Sequence, residues 1–422
     1  MLLREVIIVD PGGPHHRQER DVRVENGRVT AVSEKLKAHQ GETVFSEPGT
    51  HLSPGFVDIG AYLGDPGHEE REDINSLAAA ARAGGYVSVA VLPNTKPVRQ
   101  NVADMSYLST ESRELGVDLL PLAALSRDAA GRDLTEMVEL NRAGAPAFTD
   151  GPGRSAGGSL LKRGLQYART FDGLVMDTPY DDELAPQGQM HEGEVSVRLG
   201  LSGIPTLSET IPLRRALTLL DYTESRLLLH LVSSAESMEY IRQHGNQGGK
   251  LAVSVGAHHL TFTDEELATF DPNFKIIPPL RAASDRSALR QAVVAGTVDC
   301  IVSAHRARHR EEKDLEFSYS AFGARGLETA FLQLLPWIDG RTGHLDAVVA
   351  ALTHGPRRIL NLPALHIEER GQAALTLFRT GGERTFGPAD LRGKTTNSPL
   401  LGRPLRGRIL GTVNHDRLWT SA

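Results

Sequence analysis

The side chains able to do chemistry in this 422-residue chain are imidazoles and carboxylates at the ends of apolar runs. The first of these runs leads through VDIGAYLGDPG, residues 57–67, where Asp58, Gly60 and Tyr62 stand two apart and so project from one face of a strand. Two histidines at positions 60 and 62 would chelate a cation; glycine and tyrosine cannot. The ends of later runs supply Asn94, Asp150, Met176 with Asp177, His230, His258, and Ala304 with His305. Asp150 and His230, helped by His258, His305 or Asp177, could hold one metal ion through three protein ligands and so make a hydroxide nucleophile at neutral pH. The competing reading is a filled pocket, with these groups hydrogen-bonded to their surroundings and the Tyr62 ring in the volume that an ion and its water would need. Asn94 either binds a small ligand or braces the turn between Pro93 and Pro97. His258 and His259 cannot both line one site if a strand continues through them, so a loop is expected there.

Other chemistries lack their motifs. There is no P-loop. The single cysteine, Cys300, lies in the apolar run VDCIVSA, which suits neither a nucleophile nor a disulfide framework. Hydrophobic residues at 40% and charged residues at 23% allow a sizeable core, and a net charge of -7 argues against a nucleic-acid or anionic-membrane partner. The N-terminal MLLREVIIVDPGG is expected to be a strand, neither a leader nor an anchor, and a cytoplasmic location is expected.

The elements that must position these residues follow from periodicity. Alternating runs flank Asn26-Gly27, the signature of a tight hairpin, so the first fifty or so residues are expected to form a small β unit. From Pro54 onward the apolar runs PGFVDIG, YVSVAVLP, VDLLPLA, APAFTD, GLVMDTP, RLLLHLV, KLAVSVGA and TVDCIVSA alternate with segments of helical spacing. Gly84-Gly85 reads as a helix stop before the second run. Eight near-continuous apolar strands, each followed by a helix, predict an α/β fold: a (β/α)8 TIM barrel whose site lies at the strand ends. The run GLETAFLQLLPWI is expected to be the helix after the eighth strand, with another helix around HLDAVVAALTHGPRRILNL. The tail returns to β structure and is expected to join the N-terminal hairpin in one flanking β domain. The expected division is residues 1–52 for the N-terminal part of that domain, 53–354 for the barrel and 355–422 for the last helix and the return.

At these residues the chain resembles the dihydroorotases of the amidohydrolase superfamily. The resemblance is carried in order by PGFVDI, LGDPGHEEREDI, AAAARAGGYVSVAVLPNTKP, AFTDG, GLSGIPTLSE, HLVSSAESMEYIR, AHHLTFTDEEL, PPLR and AFGARGLETA. It implies an amidohydrolase-type barrel that opens or closes the cyclic amide of dihydroorotate with zinc at its mouth. The implied ligands are an HxH pair on strand one, a carboxylate on strand four, histidines on strands five and six, and an aspartate on strand eight. Here those positions hold Gly60 and Tyr62, Asp150, Met176 or Asp177, His230, and Ala304. The implied strand-eight aspartate also carries the proton, which Ala304 cannot do. The arginine that would grip the substrate carboxylate is replaced by Gly64, and the asparagine before PPLR by Ile277.

The expectation is therefore a catalytically inactive relative with no catalytic residue and no cofactor. Asp58, Asp150 and His230 would be vestiges of the metal site, and Asn94, His258 and His305 remnants of the substrate pocket. The resemblance to inactive bacterial homologues implies a partner, aspartate carbamoyltransferase of pyrimidine biosynthesis, which such homologues support as noncatalytic subunits; a homodimer or larger hetero-oligomer is implied as well. Two alternatives stand: an active cyclic amidohydrolase with an altered or mononuclear zinc site, and a small-molecule sensor around Asn94 and His230. The charged stretch HRARHREEKDLE, residues 305–316, is either a partner-docking loop or a solvated one.

Overall fold

Near-continuous apolar runs such as Phe56–Ala61 and Tyr86–Val91 are buried along their whole length, Asp58 and Ser88 included, as parallel strands covered on both faces must be. In the computed structural model, which describes residues 1–153 and 155–420, these two pair in parallel and continue through Asp118–Pro121. Leu174–Asp177, Arg226–Leu229, Leu251–Gly256 and Cys300–Val302 form a second parallel set. Phe148 bridges the two, pairing with Ala123 on one side and Val175 on the other. The ring closes where Tyr62 N donates to His305 O at 2.9 Å. With the Phe148 bridge as the fourth position this is the expected (β/α)8 barrel. That fourth strand is short because Pro146, inside its run, has no N–H to donate.

Helices cover the outside: Ile74–Ala83, Val102–Glu111, Met137–Arg142, Gly158–Arg169, Leu207–Thr223, Ala235–His244, Ala283–Val294 and His344–Leu352. The first starts on a cap in which Asp73 accepts from Ser76 N at 2.7 Å. It stops at Gly84, where a Cβ would lie 2.0 Å from Leu327 O, so the stop also permits a close backbone approach. Residues 326–338 are not the continuous helix expected. The amides of Gly326 and Leu327 turn to His305 Nδ1, and Pro336 sits at the start of the short helix Leu335–Ile338.

Both ends of the chain build one sheet beside the barrel. His51–Pro54 pairs in parallel with Leu2–Ile8 and antiparallel with Leu375–Thr385, which pairs in turn with Pro404–Asn414. Asn26 and Gly27 both have positive φ, 52° and 70°, as a tight hairpin turn requires. Leu3, Val6, Val22, Leu52, Leu377 and Val413 form the core of this flanking domain. Among the described residues no helix is long and apolar enough to cross a membrane.

Candidate functional site

The end of the first barrel strand is closed to side chains. Gly60 has φ +90°, a region that L side chains rarely adopt, and a Cβ built there would lie 2.6 Å from His230 Nε2. His230 therefore occupies the space into which residue 60 would project. Its Nδ1 pairs with Ser254 Oγ at 2.9 Å, while its buried Nε2 has no partner among the described residues. Burial pushes its pKa down to about 3, so the ring is neutral. Two residues on, the Tyr62 hydroxyl donates to Pro152 O at 3.3 Å, and the Arg306 guanidinium stacks 4.4 Å from its ring centre.

Three carboxylates surround this plug, and each is engaged by a serine. Asp58 accepts from Ser303 N at 2.7 Å and Ser303 Oγ at 2.6 Å, joining strands one and eight. Asp150 accepts from Ser126 N at 2.8 Å and Ser126 Oγ at 2.5 Å. Asp177 accepts from Ser155 Oγ at 2.7 Å and Ala156 N at 2.9 Å. Burial raises the pKa of all three, that of Asp177 to about 6. Among the described residues, no three His, Cys, Asp or Glu donors at the mouth lie within 4.8 Å of one another. A catalytic zinc needs three converging protein ligands and an open position, so this donor set does not fit one.

The position expected to grip a substrate, Gly64, is closed in the same way. A Cβ on Gly64 would lie 2.1 Å from His68 O and 2.7 Å from Glu72 O, so the backbone leaves no room for an arginine there. Asn94 donates to Asp150 O at 2.9 Å and faces the mouth, whereas Ile277, half-buried, is absent from its lining. The mouth cavity, lined by Tyr62, Gly64, Asn94, Pro152, Arg306 and Arg308 among others, holds about 200 Å³. That is below the ~300 Å³ at which small-molecule sites begin. A wider depression of about 700 Å³ runs outward from Asp150 and Tyr180 to Arg132 and Arg215, and its lining contains no histidine.

His258 and His305 are brought to the barrel end but away from the cavity. His258 and His259 lie on the short buried helix Ala257–Thr261, not in a loop. The helix turn begins one residue after Gly256, so the alternation of a strand no longer applies. His258 pairs with Gln333 Oε1 at 3.1 Å and Arg325 O at 3.2 Å, and burial lowers both of the adjacent imidazoles to about 4. His305 accepts two backbone N–H groups at Nδ1, from Gly326 and Leu327, so its proton is on Nε2, which donates to Glu72 Oε2 at 3.1 Å. Arg325 joins the same Glu72 oxygen at 3.0 Å and also pairs with Glu328. Ala304 has φ +52°, in the left-handed region.

Sequence reasoning missed this buried Glu72–His305–Arg325–Glu328 network. Glu72 and Arg325 are 253 positions apart, and the only signal was the charge inside the stretches EEREDI and AFGARGLETA. It also missed a second buried pair, Glu209 with Arg281 at 3.1 Å, in which Ser233 and Ser234 complete the carboxylate's bonds. Within residues 305–316 the second arginine turns inward: Arg308 donates to Phe322 O and to Glu312 Oε1, both at 2.9 Å. Lys313 is buried against Ala321 O at 2.8 Å and Gly323 O at 3.0 Å, and burial lowers its pKa to about 7.

The sequence profile of the dihydro-orotase-like family matches residues 49–237. A dihydroorotase of Syntrophus aciditrophicus (strain SB) is 34% identical over 420 residues, covering 99% of this chain and 98% of that protein. A dihydroorotase of Anaeromyxobacter dehalogenans (strain 2CP-C) is 35% identical over 417 residues, covering 97% and 95%. In fold, the chain is similar to the L-hydantoinase (dihydropyrimidinase) from Arthrobacter aurescens, with a TM-score of 0.84 at 19% identity over 99% of this chain and 95% of that one.

Proposed function

The chain belongs to the dihydroorotase family, and from that premise we propose that it is a member without hydrolase activity, kept as a structural subunit. The observation that carries the reading is steric: the His230 ring at Gly60, and the backbone carbonyls of His68 and Glu72 at Gly64, leave no room for the side chains that would hold a metal or grip a substrate carboxylate. Reversion of Tyr62 or Ala304 alone would not reopen either position. The partner we propose is aspartate carbamoyltransferase, in a cytoplasmic assembly of pyrimidine biosynthesis, with self-association as a dimer or within a larger complex. Two exposed apolar side chains one turn apart, Leu207 and Ile211 at the start of the helix Leu207–Thr223, support a protein contact.

The reading is tested on purified protein in two arms. Dihydroorotate hydrolysis and carbamoyl aspartate cyclisation are expected to be absent with and without added zinc. The carbamoyltransferase is expected to copurify with this chain and to lose activity when the chain is removed. Turnover that disappears on chelation would overturn the first statement, and a transferase fully stable and active alone would overturn the second.

The second reading is an active cyclic amidohydrolase with an altered or mononuclear zinc site. It is favoured by one observation, the buried Nε2 of His230 without a partner among the described residues, and by relatives named dihydroorotase matched over 98% and 95% of their length. Under that reading His230→Gln abolishes a zinc-dependent turnover; under the first there is none to abolish.

A further inference from the structure

At the opposite end of the barrel a different set of donors does converge. Asp10 follows the strand Leu2–Ile8, whose next residue, Val9, donates to Leu52 O at 2.8 Å just before barrel strand one. His354 opens the helix His354–Ile359, and a Cβ on the adjacent Gly355 would lie 1.7 Å from Asp299 O, at the entry to strand eight. His366 comes from the turn before the last strands. His354 Nε2 lies 3.0 Å and His366 Nδ1 3.1 Å from the same oxygen, Asp10 Oδ1. One ligand atom from each of the three residues falls within 4.8 Å of the other two.

We propose that Asp10, His354 and His366 bind one divalent first-row transition-metal ion, of which zinc is the type, at this floor of the barrel. Tetrahedral ligands at zinc bond lengths of 2.0–2.1 Å stand about 3.3–3.4 Å apart, so the two separations from Asp10 Oδ1 need shifts of only a few tenths of an ångström, and the two imidazole nitrogens already lie within 4.8 Å of each other. Two imidazoles with one carboxylate select this class over calcium or magnesium, which take oxygen ligands. The carboxylate is already fixed: Asp10 is buried, and its other oxygen accepts from Ile367 N at 2.8 Å. Gly13 makes room for it, since a Cβ there would lie 2.2 Å from Asp10 Oδ2. His354 and His366 remain 21% and 33% exposed, which leaves an entry path and a place for water as the fourth ligand. The role is structural, because the three donors come from segments far apart in the chain. The ion ties the N-terminal strand to segments 344 and 356 positions away in the chain.

The test uses the full chain, stripped with a chelator and titrated with zinc chloride alone by calorimetry, with the melting temperature read with and without zinc. One equivalent is expected to bind and to raise the melting temperature, because an ion that binds only the native state stabilises it. His354→Asn and His366→Asn are each expected to weaken binding by about tenfold or more and to remove most of the zinc-dependent rise. His230→Gln, at the other end of the barrel, is expected to bind as the unaltered protein does. Comparing each variant with itself, with and without zinc, keeps the readout independent of any change in its metal-free stability. No binding near one equivalent, binding retained by both floor variants, or binding lost in His230→Gln would each overturn the proposal. The dihydroorotate assay is separate, so zinc at the floor without turnover leaves the proposed function standing, and turnover would end that reading without touching this one.

Discussion

The two ends of the barrel use the same residue types in opposite ways. At the mouth, Asp58, Asp150 and Asp177 stand apart, each engaged by a serine hydroxyl and a backbone amide from Ser303, Ser126, or Ser155 with Ala156. At the floor, one carboxylate, Asp10, is shared by two imidazoles. A buried carboxylate must be satisfied by something, and which neighbour does so decides whether it remains available to a ligand. Serines placed in adjoining loops make the mouth self-sufficient, while the floor leaves its donors facing one another. Chemistry-bearing residues at the expected end of a fold are therefore a weaker sign of function than the partners those residues already have.

If the mouth is a satisfied interior and no longer a site, damage there reads out as stability. The largest effect is expected for Arg325→Met, which leaves Glu72 and Glu328 buried without their cation. A loss of about 3–5 kcal/mol is expected in urea denaturation. A loss under 1 kcal/mol would break the comparison.

Acid should sharpen the contrast next. His230 is held near pKa 3 and His258 and His259 near 4, all by burial, so below pH 6.5 the unfolded chain binds protons that the folded chain refuses. Stability present above pH 6.5 is then lost as the pH falls toward those values, by about 2 kcal/mol for His230 alone at pH 5. Asp177 acts the other way: with its pKa raised to about 6, its buried charge costs stability above that pH, and protonation relieves the cost as the pH drops toward 4. Asp58 and Asp150, raised by the same burial, share the direction of Asp177, while His51 and His191, lowered by burial, share that of the three imidazoles. A net loss is expected because the ordinary histidine pKa of about 6.5 lies inside the window. Melting temperatures from pH 7.5 to 5 should fall, with a shallower slope in His230→Gln.

Smaller still is the removal of one serine clamp. Ser303→Ala deletes the hydroxyl that Asp58 accepts at 2.6 Å but keeps the amide. The expected cost is about 1.5 kcal/mol by denaturation, the low end for a bond to a charged group. The smallest effect has the opposite sign. Ala304 sits at φ +52°, which Asn tolerates better than Ala, so Ala304→Asn should gain up to about 1 kcal/mol and no hydrolase activity.

The apolar runs made the barrel legible because parallel strands buried on both faces have little choice of composition. They misled where backbone donors have another use or are missing: at Pro146, which shrinks strand four to a bridge, and at residues 326–338, whose first amides serve His305. The residue types at Gly60, Gly64 and Ala304 were visible in the sequence. Their steric closure was not, because His230 and the carbonyls of His68 and Glu72 that fill those spaces meet them only in three dimensions. The serine clamps were equally hidden; Asp58 and Ser303 are 245 positions apart, and no local pattern marks one as the other's partner.

The strand His51–Pro54 lies between Leu2–Ile8 and Leu375–Thr385, so one of its edges is completed by the far end of the chain. Phe56 N waits for Thr376 Oγ1, 320 residues downstream. At ribosomal speeds of roughly 5–20 residues per second, that edge stays open for about 15–65 s of every round of translation. For that interval the nascent protein offers an unpaired β template to its neighbours on the polysome.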